Sequence, residues 1–207
     1  MPLQNRVTPS GEIVATPERG MFVGNRGIIH DPATKTLLKK RWSTHAWLTC
    51  VLEFQGRRRN VMGGRSWTEL FFLDEATAFA AGHRPCFFCR REDANRFRAA
   101  WEKGNLVSGT LASDIDSVLH RERFASAKKL PPPPRRIDEL PEGTMVRVGG
   151  ESFVIARGKA LLWSPGGYRV TKGELGDAKL LTPPSIVRAF AVGYRPVLHR
   201  SMQELVR

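Results

Sequence analysis

The stretch that decides how the first half of this chain folds is Gly82-His83-Arg84-Pro85-Cys86-Phe87-Phe88-Cys89-Arg90-Arg91. A Cys-x-x-Cys turn can aim both sulfurs at one point about 2.3 Å away, which makes zinc the natural occupant. A redox motif of the thioredoxin kind would follow a buried strand in a βαβ unit, whereas a short helical pattern comes first here. The motif therefore predicts half of a tetrahedral zinc site at Cys86 and Cys89.

The other half of a tetrahedral site must come from earlier in the chain. Cys50 lies in a β-branched and aromatic run, and His30 follows a glycine-rich turn, with Asp31 beside it to orient the imidazole. The sequence therefore predicts Zn²⁺ held by His30, Cys50, Cys86 and Cys89. Two alternatives stay open: Cys50 is a buried apolar residue, or His45 replaces His30 through a bend in the strand.

The charge balance is the strongest bulk feature. Lys and Arg total 33 against 20 Asp and Glu, which gives a net charge of +13, and a field of this sign attracts polyanions. Eight basic residues and one acid, Glu53, fall between positions 35 and 65, so the charge is clustered. The predicted nucleic-acid contacts are six of these basic residues and three arginines around the thiols: Lys39, Lys40, Arg41, Arg57, Arg58, Arg59, Arg84, Arg90 and Arg91.

Composition also sets the expected compartment. No apolar run approaches the roughly 18 residues of a membrane span, and the N-terminus has no apolar stretch of the signal-peptide kind. The odd number of cysteines, 3, argues against a disulfide framework. We therefore expect a cytoplasmic protein without membrane contact.

The proline run at 131–134 is the clearest boundary, since four consecutive prolines favour a stiff, extended spacer. It predicts a zinc-binding, basic domain at 1–129, a linker at 130–137 and a small β-rich domain at 138–207. In the first domain we expect strands at 12–15, 46–54 and 68–73, a helix at 75–81 capped by Asp74, another at about 88–103, and a third capped by Ser113.

The second domain alternates β-prone runs with glycine turns and ends in a helix at 185–192. This pattern is typical of a small curled sheet with one covering helix. The predicted fold class is therefore α+β, with a zinc-stabilised, treble-clef-like N-terminal module and a β-rich C-terminal part.

Several residues before and within the thiol turn occur in a known order: Phe71-Phe72, Ala76, Ala80-Ala81-Gly82, Arg84-Pro85-Cys86 and Cys89. Over about residues 70–100 this order resembles the second half of the metal-binding domain of the Ada methylphosphotriester DNA repair proteins. The resemblance implies a zinc module that contacts DNA. The family's first cysteine pair and its Pro-Cys-His-Arg methyl-acceptor site have no counterpart in this chain, so methyl transfer is not implied.

These observations favour a zinc-binding protein that binds nucleic acid, DNA rather than RNA, without catalysis. A zinc-thiolate repair enzyme or a nuclease with a histidine base, at His30 or His45, is the first alternative. The second is an adaptor whose C-terminal sheet binds a protein partner through exposed Tyr168 and Tyr194.

Overall fold

The computed structural model describes residues 1–56, 60–171 and 176–205 and has a mixed α+β architecture, as the sequence predicts. The strands are β1 (Gln4–Val7), β2 (Ile13–Ala15), β3 (Phe22–Asn25), β4 (His30–Asp31), β5 (Thr36–Leu37), β6 (Leu48–Val51), β7 (Leu70–Phe72), β8 (Arg84–Pro85), β9 (Met145–Val148), β10 (Glu151–Ala156), β11 (Lys159–Ser164), β12 (Gly167–Val170) and β13 (Lys179–Leu180). The α-helices are α1 (Glu75–Ala80), α2 (Arg91–Asn105), α3 (Ala112–Lys128), α4 (Pro184–Ala191) and α5 (Ser201–Leu205). Across the described ranges, no helix is both long and apolar enough to span a membrane.

The N-terminal half is built on a six-stranded sheet with the order β2-β1-β7-β3-β6-β8. The pairs β1–β7 and β6–β8 are parallel, and the other pairs are antiparallel. Gly24 in β3 is required by close packing, because a Cβ there would lie 1.9 Å from the carbonyl oxygen of Leu48. The sheet therefore closes tightly around β6, the strand that carries Cys50.

The helix starts follow local capping. Asp74 caps α1 as predicted, and its Oδ1 accepts a hydrogen bond from the Thr77 backbone N–H at 2.9 Å. The prediction of Ser113 as the cap of α3 is wrong, because the helix already begins at Ala112 after Leu111. Helix α2 begins at Arg91 rather than at position 88, since the thiol turn occupies the residues before it.

The C-terminal half contains a five-stranded sheet where the sequence predicts strands, in the order β12-β11-β10-β9-β13, with helix α4 after it. The expectation that Tyr168 and Tyr194 are exposed is wrong, because they are only 4% and 5% exposed. The Tyr168 hydroxyl donates to Asp74 at 2.7 Å, and the Tyr194 hydroxyl donates to Glu75 at 3.0 Å. Both tyrosines thus anchor the C-terminal half to the start of α1.

The hydrophobic cores cross the boundary that the proline run predicts. Leu73 and Ala76 share one core with Met145 and Val154, and another core joins residues of α2 to residues of α4. The Pro131 carbonyl also accepts a hydrogen bond at 2.7 Å from the Leu180 backbone N–H in the C-terminal sheet. The proline segment is therefore packed against the second half and does not hold the halves apart.

Candidate metal centre

Strand pairing brings Cys50 to the thiol turn from 36 residues earlier in the chain. Strand β8 runs parallel to β6, with Thr49 opposite Pro85, and the Cys86 backbone N–H donates to the Thr49 carbonyl at 3.0 Å. Cys50 is the next residue of β6 and Cys86 directly follows β8, so the two cysteines come together at the end of β8. The parallel register of β6 and β8 therefore places Cys50 beside the thiol turn.

The turn after β8 folds back on its own sulfur. The Phe88 backbone N–H donates to Cys86 Sγ at 3.4 Å, and the Arg90 backbone N–H donates to the Cys86 carbonyl at 3.0 Å. Helix α2 follows directly. This geometry presents Cys89 on the same side as Cys86, as the Cys-x-x-Cys spacing predicts.

The three sulfurs form a cluster that fits a metal ion. The Sγ atoms of Cys50, Cys86 and Cys89 all lie within 4.8 Å of one another. Two thiolates on one tetrahedral zinc, each at about 2.3 Å, are separated by about 3.8 Å, which falls inside this limit. All three cysteines are free thiols. The donor set therefore suits a thiophilic metal such as zinc.

The three thiols shift one another's pKa values. Hydrogen bonds from Cys50 and Cys89 lower the pKa of Cys86 well below the ordinary value of a thiol. The pKa of Cys50 is raised by its hydrogen bonds to Cys86 and Cys89 and by burial. The pKa of Cys89 is also raised: its hydrogen bond with Cys50 lowers it, but Cys86 and burial outweigh that effect. A bound divalent cation would lower the pKa values of all three thiols, because it stabilises their thiolate forms.

A pocket of about 620 Å³ opens beside the sulfurs. All three cysteines line it, and Cys89 is the most accessible of them. The other walls are aromatic, amide, hydroxyl and carboxylate side chains and backbone, namely Asn25, Leu48, Phe54, Asn60, Gly63, Gly64, Ser66, Trp67, Glu69 and Phe88. A water molecule or a ligand in this pocket can therefore reach the sulfur cluster.

The structure does not bring His30 to the sulfurs. Its side chain is buried, its Nδ1 lies 2.7 Å from Thr68 Oγ1, and its Nε2 lies 3.1 Å from the Gly64 carbonyl oxygen. Both ring nitrogens are thus engaged within the protein. Among the described residues, no fourth His, Cys, Asp or Glu joins the cysteine group. His45, the alternative ligand, is exposed and stacks on His120 with 3.7 Å between ring centroids.

Two arginines beside the thiols are internal. Arg84 is 4% exposed and forms a bidentate pair with Asp116 at 2.7 and 2.8 Å. Arg90 is 5% exposed and its Nη2 contacts Glu75 at 2.7 Å and Asp93 at 2.8 Å. These ion pairs correct the prediction that Arg84 and Arg90 contact nucleic acid, because their guanidinium groups are committed to the interior.

Of the other predicted nucleic-acid contacts, some are exposed and some lie outside the described residues. Lys39, Lys40, Arg41 and Arg91 are exposed. The predicted contacts at positions 57–59 lie outside the described residues. The basic segment at 39–41 therefore faces solvent, as a contact with a polyanion requires.

Tertiary structure adds aromatic rings to this basic surface. Trp42, which is 36% exposed, contacts the rings of His45, His120 and Phe124 at centroid distances of 5.6, 4.9 and 6.0 Å. We call these four residues the Trp42 patch. The sequence indicates Trp42, Trp47 and Trp67 as indoles near the basic segment that can stack on bases, and of these Trp47 is buried. It does not indicate His120 and Phe124, because they come from helix α3, much later in the chain.

Comparison of the chain with protein-family models, with curated proteins and with solved structures finds no match.

Proposed function

We propose that this protein binds one Zn²⁺ ion through Cys50, Cys86 and Cys89 and binds nucleic acid, DNA in preference to RNA, through its basic surface. The observation that carries the proposal is the convergence of three sulfurs from β6 and from the turn before α2. The order of strand β6, thiol turn and helix α2 supports a treble-clef-like zinc module. A water molecule or a ligand from the adjacent pocket would complete four-coordination.

Zinc content is tested directly by elemental analysis of the purified full-length protein. We expect about one zinc per chain. The Cys86→Ser variant should lose the metal, whereas Val23→Ala, which shortens a side chain in the same small core as Cys50 and Cys86, should retain it. Wild-type protein that is folded and takes up no zinc would refute the metal site.

Nucleic-acid binding is supported by the Trp42 patch and the lysines and arginine just before it. Exposed rings can stack on bases of single strands, while Lys39, Lys40 and Arg41 contact phosphates. The resemblance to the Ada zinc domain supports DNA as the polymer. The tightly packed rings offer a stacking platform of the sequence-tolerant kind.

The test is fluorescence anisotropy with labelled single-stranded and duplex DNA and with RNA of the same sequence, at two salt concentrations. Trp42→Ala should weaken single-strand binding by about 1–3 kcal/mol, or about 5- to 150-fold. The control Leu106→Ala, which removes an exposed apolar side chain outside the patch, should leave affinity unchanged. Equal affinities for Trp42→Ala and wild type, or no binding at low salt, would contradict the proposal.

The pocket beside the sulfurs supports a second candidate, thiolate-based DNA repair. In that reaction a thiolate would attack the methyl carbon of a phosphotriester, forming an S–C bond while the C–O bond breaks and a phosphodiester anion leaves. Incubation with methylated DNA should then raise the intact mass of the protein by one CH₂ unit. An unchanged mass alongside normal DNA binding would favour simple binding.

A further inference from the structure

A second pocket, on a different part of the molecule from the thiols, is lined by three arginines. It measures about 330 Å³ and lies between the β1–β2 turn, helix α3 and the C-terminal sheet. Its charged walls are Arg26, Arg123 and Arg147, together with Glu12 at the exposed rim. It has no lining residue in common with the thiol pocket. Its volume lies at the small end of the range of about 300–1,000 Å³ typical of small-molecule sites.

Arg26 is the most unusual of the three. Its side chain is 2% exposed, its Nη1 donates to the Gly11 carbonyl at 2.9 Å, and its Nη2 is buried without an acceptor. Burial, followed by repulsion from Arg123, lowers the pKa of Arg26 to about 9. A buried guanidinium with a spare N–H and a lowered pKa is a cation that lacks its anion.

Arg123 and Arg26 contact the same indole ring. The guanidinium carbons of Arg26 and Arg123 each lie 4.0 Å from the Trp47 ring centroid. Arg123 donates to the carbonyl oxygens of Gly82 and His45 at 2.7 and 3.0 Å, yet its Nε is buried and unpartnered. These contacts fix the direction of the guanidinium group without neutralising it.

Arg147 adds a third cation from the other half of the protein. It lies on strand β9, and its Nε is again buried without a hydrogen-bond partner. Three positively charged side chains from three parts of the chain therefore line one cavity, and each has one buried nitrogen without a hydrogen-bond partner.

The carboxylates near the pocket do not cancel this charge. Asp116 is paired with Arg84, and Glu122 accepts from the Ser185 hydroxyl and backbone N–H at 2.6 and 3.0 Å. Both raise the pKa of Arg123, but burial outweighs them and lowers it to about 10. Within residues 1–56, 60–171 and 176–205, none of the three pocket arginines forms an ion pair within 4.0 Å.

We propose that this pocket binds a terminal phosphate group, as a phosphomonoester. At neutral pH such a group carries a charge of about −1.5 to −2, so it matches several guanidinium groups better than a carboxylate or an internal phosphodiester does. Its oxygens can accept hydrogen bonds from the guanidinium groups that line the pocket, and arginine forks are well suited to phosphate. Two sources can carry such a phosphate, a small molecule and the 5′ end of a nucleic acid, and the two arms of the experiment below distinguish them.

The test is calorimetric titration of the full-length protein with inorganic phosphate, AMP and citrate, at an ionic strength matched with KCl. Phosphate and AMP should bind more tightly than citrate. Arg26→Met and Arg147→Met, which alter lining residues from the two halves of the chain, should each weaken binding by about tenfold or more. Arg169→Met removes the same charge from an exposed strand position and should leave binding unchanged. Two variants are needed because the loss of buried Arg26 alters packing on Trp47, whereas Arg147 is only partly buried.

A second arm compares oligonucleotides with a 5′-phosphate and with a 5′-hydroxyl. Tighter binding of the phosphorylated strand that disappears in Arg147→Met identifies a nucleic-acid end as the source, and AMP binding without that difference identifies a small molecule. The site is refuted if phosphate and AMP bind no better than citrate, or if Arg26→Met and Arg147→Met both bind like wild type. Because no zinc ligand is altered, this result is independent of metal content.

Discussion

The metal site makes a quantitative prediction about stability, since it ties together two distant parts of the chain. A zinc ion held by Cys50 and by Cys86 and Cys89 closes a loop of 36 residues between β6 and the thiol turn. The loop-closure entropy of a segment of that length is about 3 kcal/mol, from (3/2)RT ln n. Removal of the ion should therefore lower the free energy of unfolding by about this amount.

For a protein of 207 residues, a change of about 3 kcal/mol corresponds to a shift in Tm of about 6–12 °C. The assay is thermal unfolding of zinc-loaded protein, of protein stripped by a chelator, and of stripped protein with zinc restored. Restored zinc should recover the original Tm in wild type but not in Cys50→Ser, because that variant loses the ligand that β6 supplies.

Two matched variants sharpen the result. Val23→Ala lowers the baseline Tm by opening a cavity beside Cys50 but should keep the full zinc-dependent shift. His30→Gln should also keep the shift, because both ring nitrogens of His30 bond elsewhere. A zinc-dependent shift that survives in Cys50→Ser, or one that vanishes in His30→Gln, would show that the ligand set is misassigned.

Two further predictions concern buried charges. Arg90→Met leaves buried Glu75 without its cation and should lower the free energy of unfolding, measured in urea, by about 3–5 kcal/mol. Arg96→Met removes only an exposed partner of Asp93 and should lower it by about 1 kcal/mol or less. Equal losses in the two variants would exclude a stabilising role for the interior pair. Burial, aided by Arg26 and Arg123, lowers the pKa of His83 well below 6.5, so the unfolded chain binds a proton that the folded protein excludes. Stability from this group is present above about pH 6.5 and should fall as pH drops below it, by up to about 1.4 kcal/mol per pH unit. Urea unfolding at several pH values should show a shallower slope for His83→Gln, and an identical slope in the variant would remove His83 from the explanation.

The sequence by itself identified features that depend on near neighbours. The Cys-x-x-Cys spacing placed Cys86 and Cys89 on one turn, because four consecutive residues leave few ways to orient two sulfurs. The cap at Asp74 was equally local, since its partner is the N–H of Thr77. Cys50 was also singled out, but its arrival at the turn depends on the parallel pairing of β6 with β8.

The sequence could not predict the contacts of residues whose partners lie far away along the chain. A glycine-rich turn before His30 does not reveal that Thr68 and Gly64 engage its ring. Arg84 and Arg90 look like surface charges beside the thiols until Asp116 and Glu75 pair with them in the interior. Spacing thus determined a thiol turn and a strongly basic chain. Only the packing of strands and helices decided which charges are buried, which rings gather around Trp42, and where three arginines share one pocket, because burial and pairing depend on contacts between segments that sequence separation does not constrain.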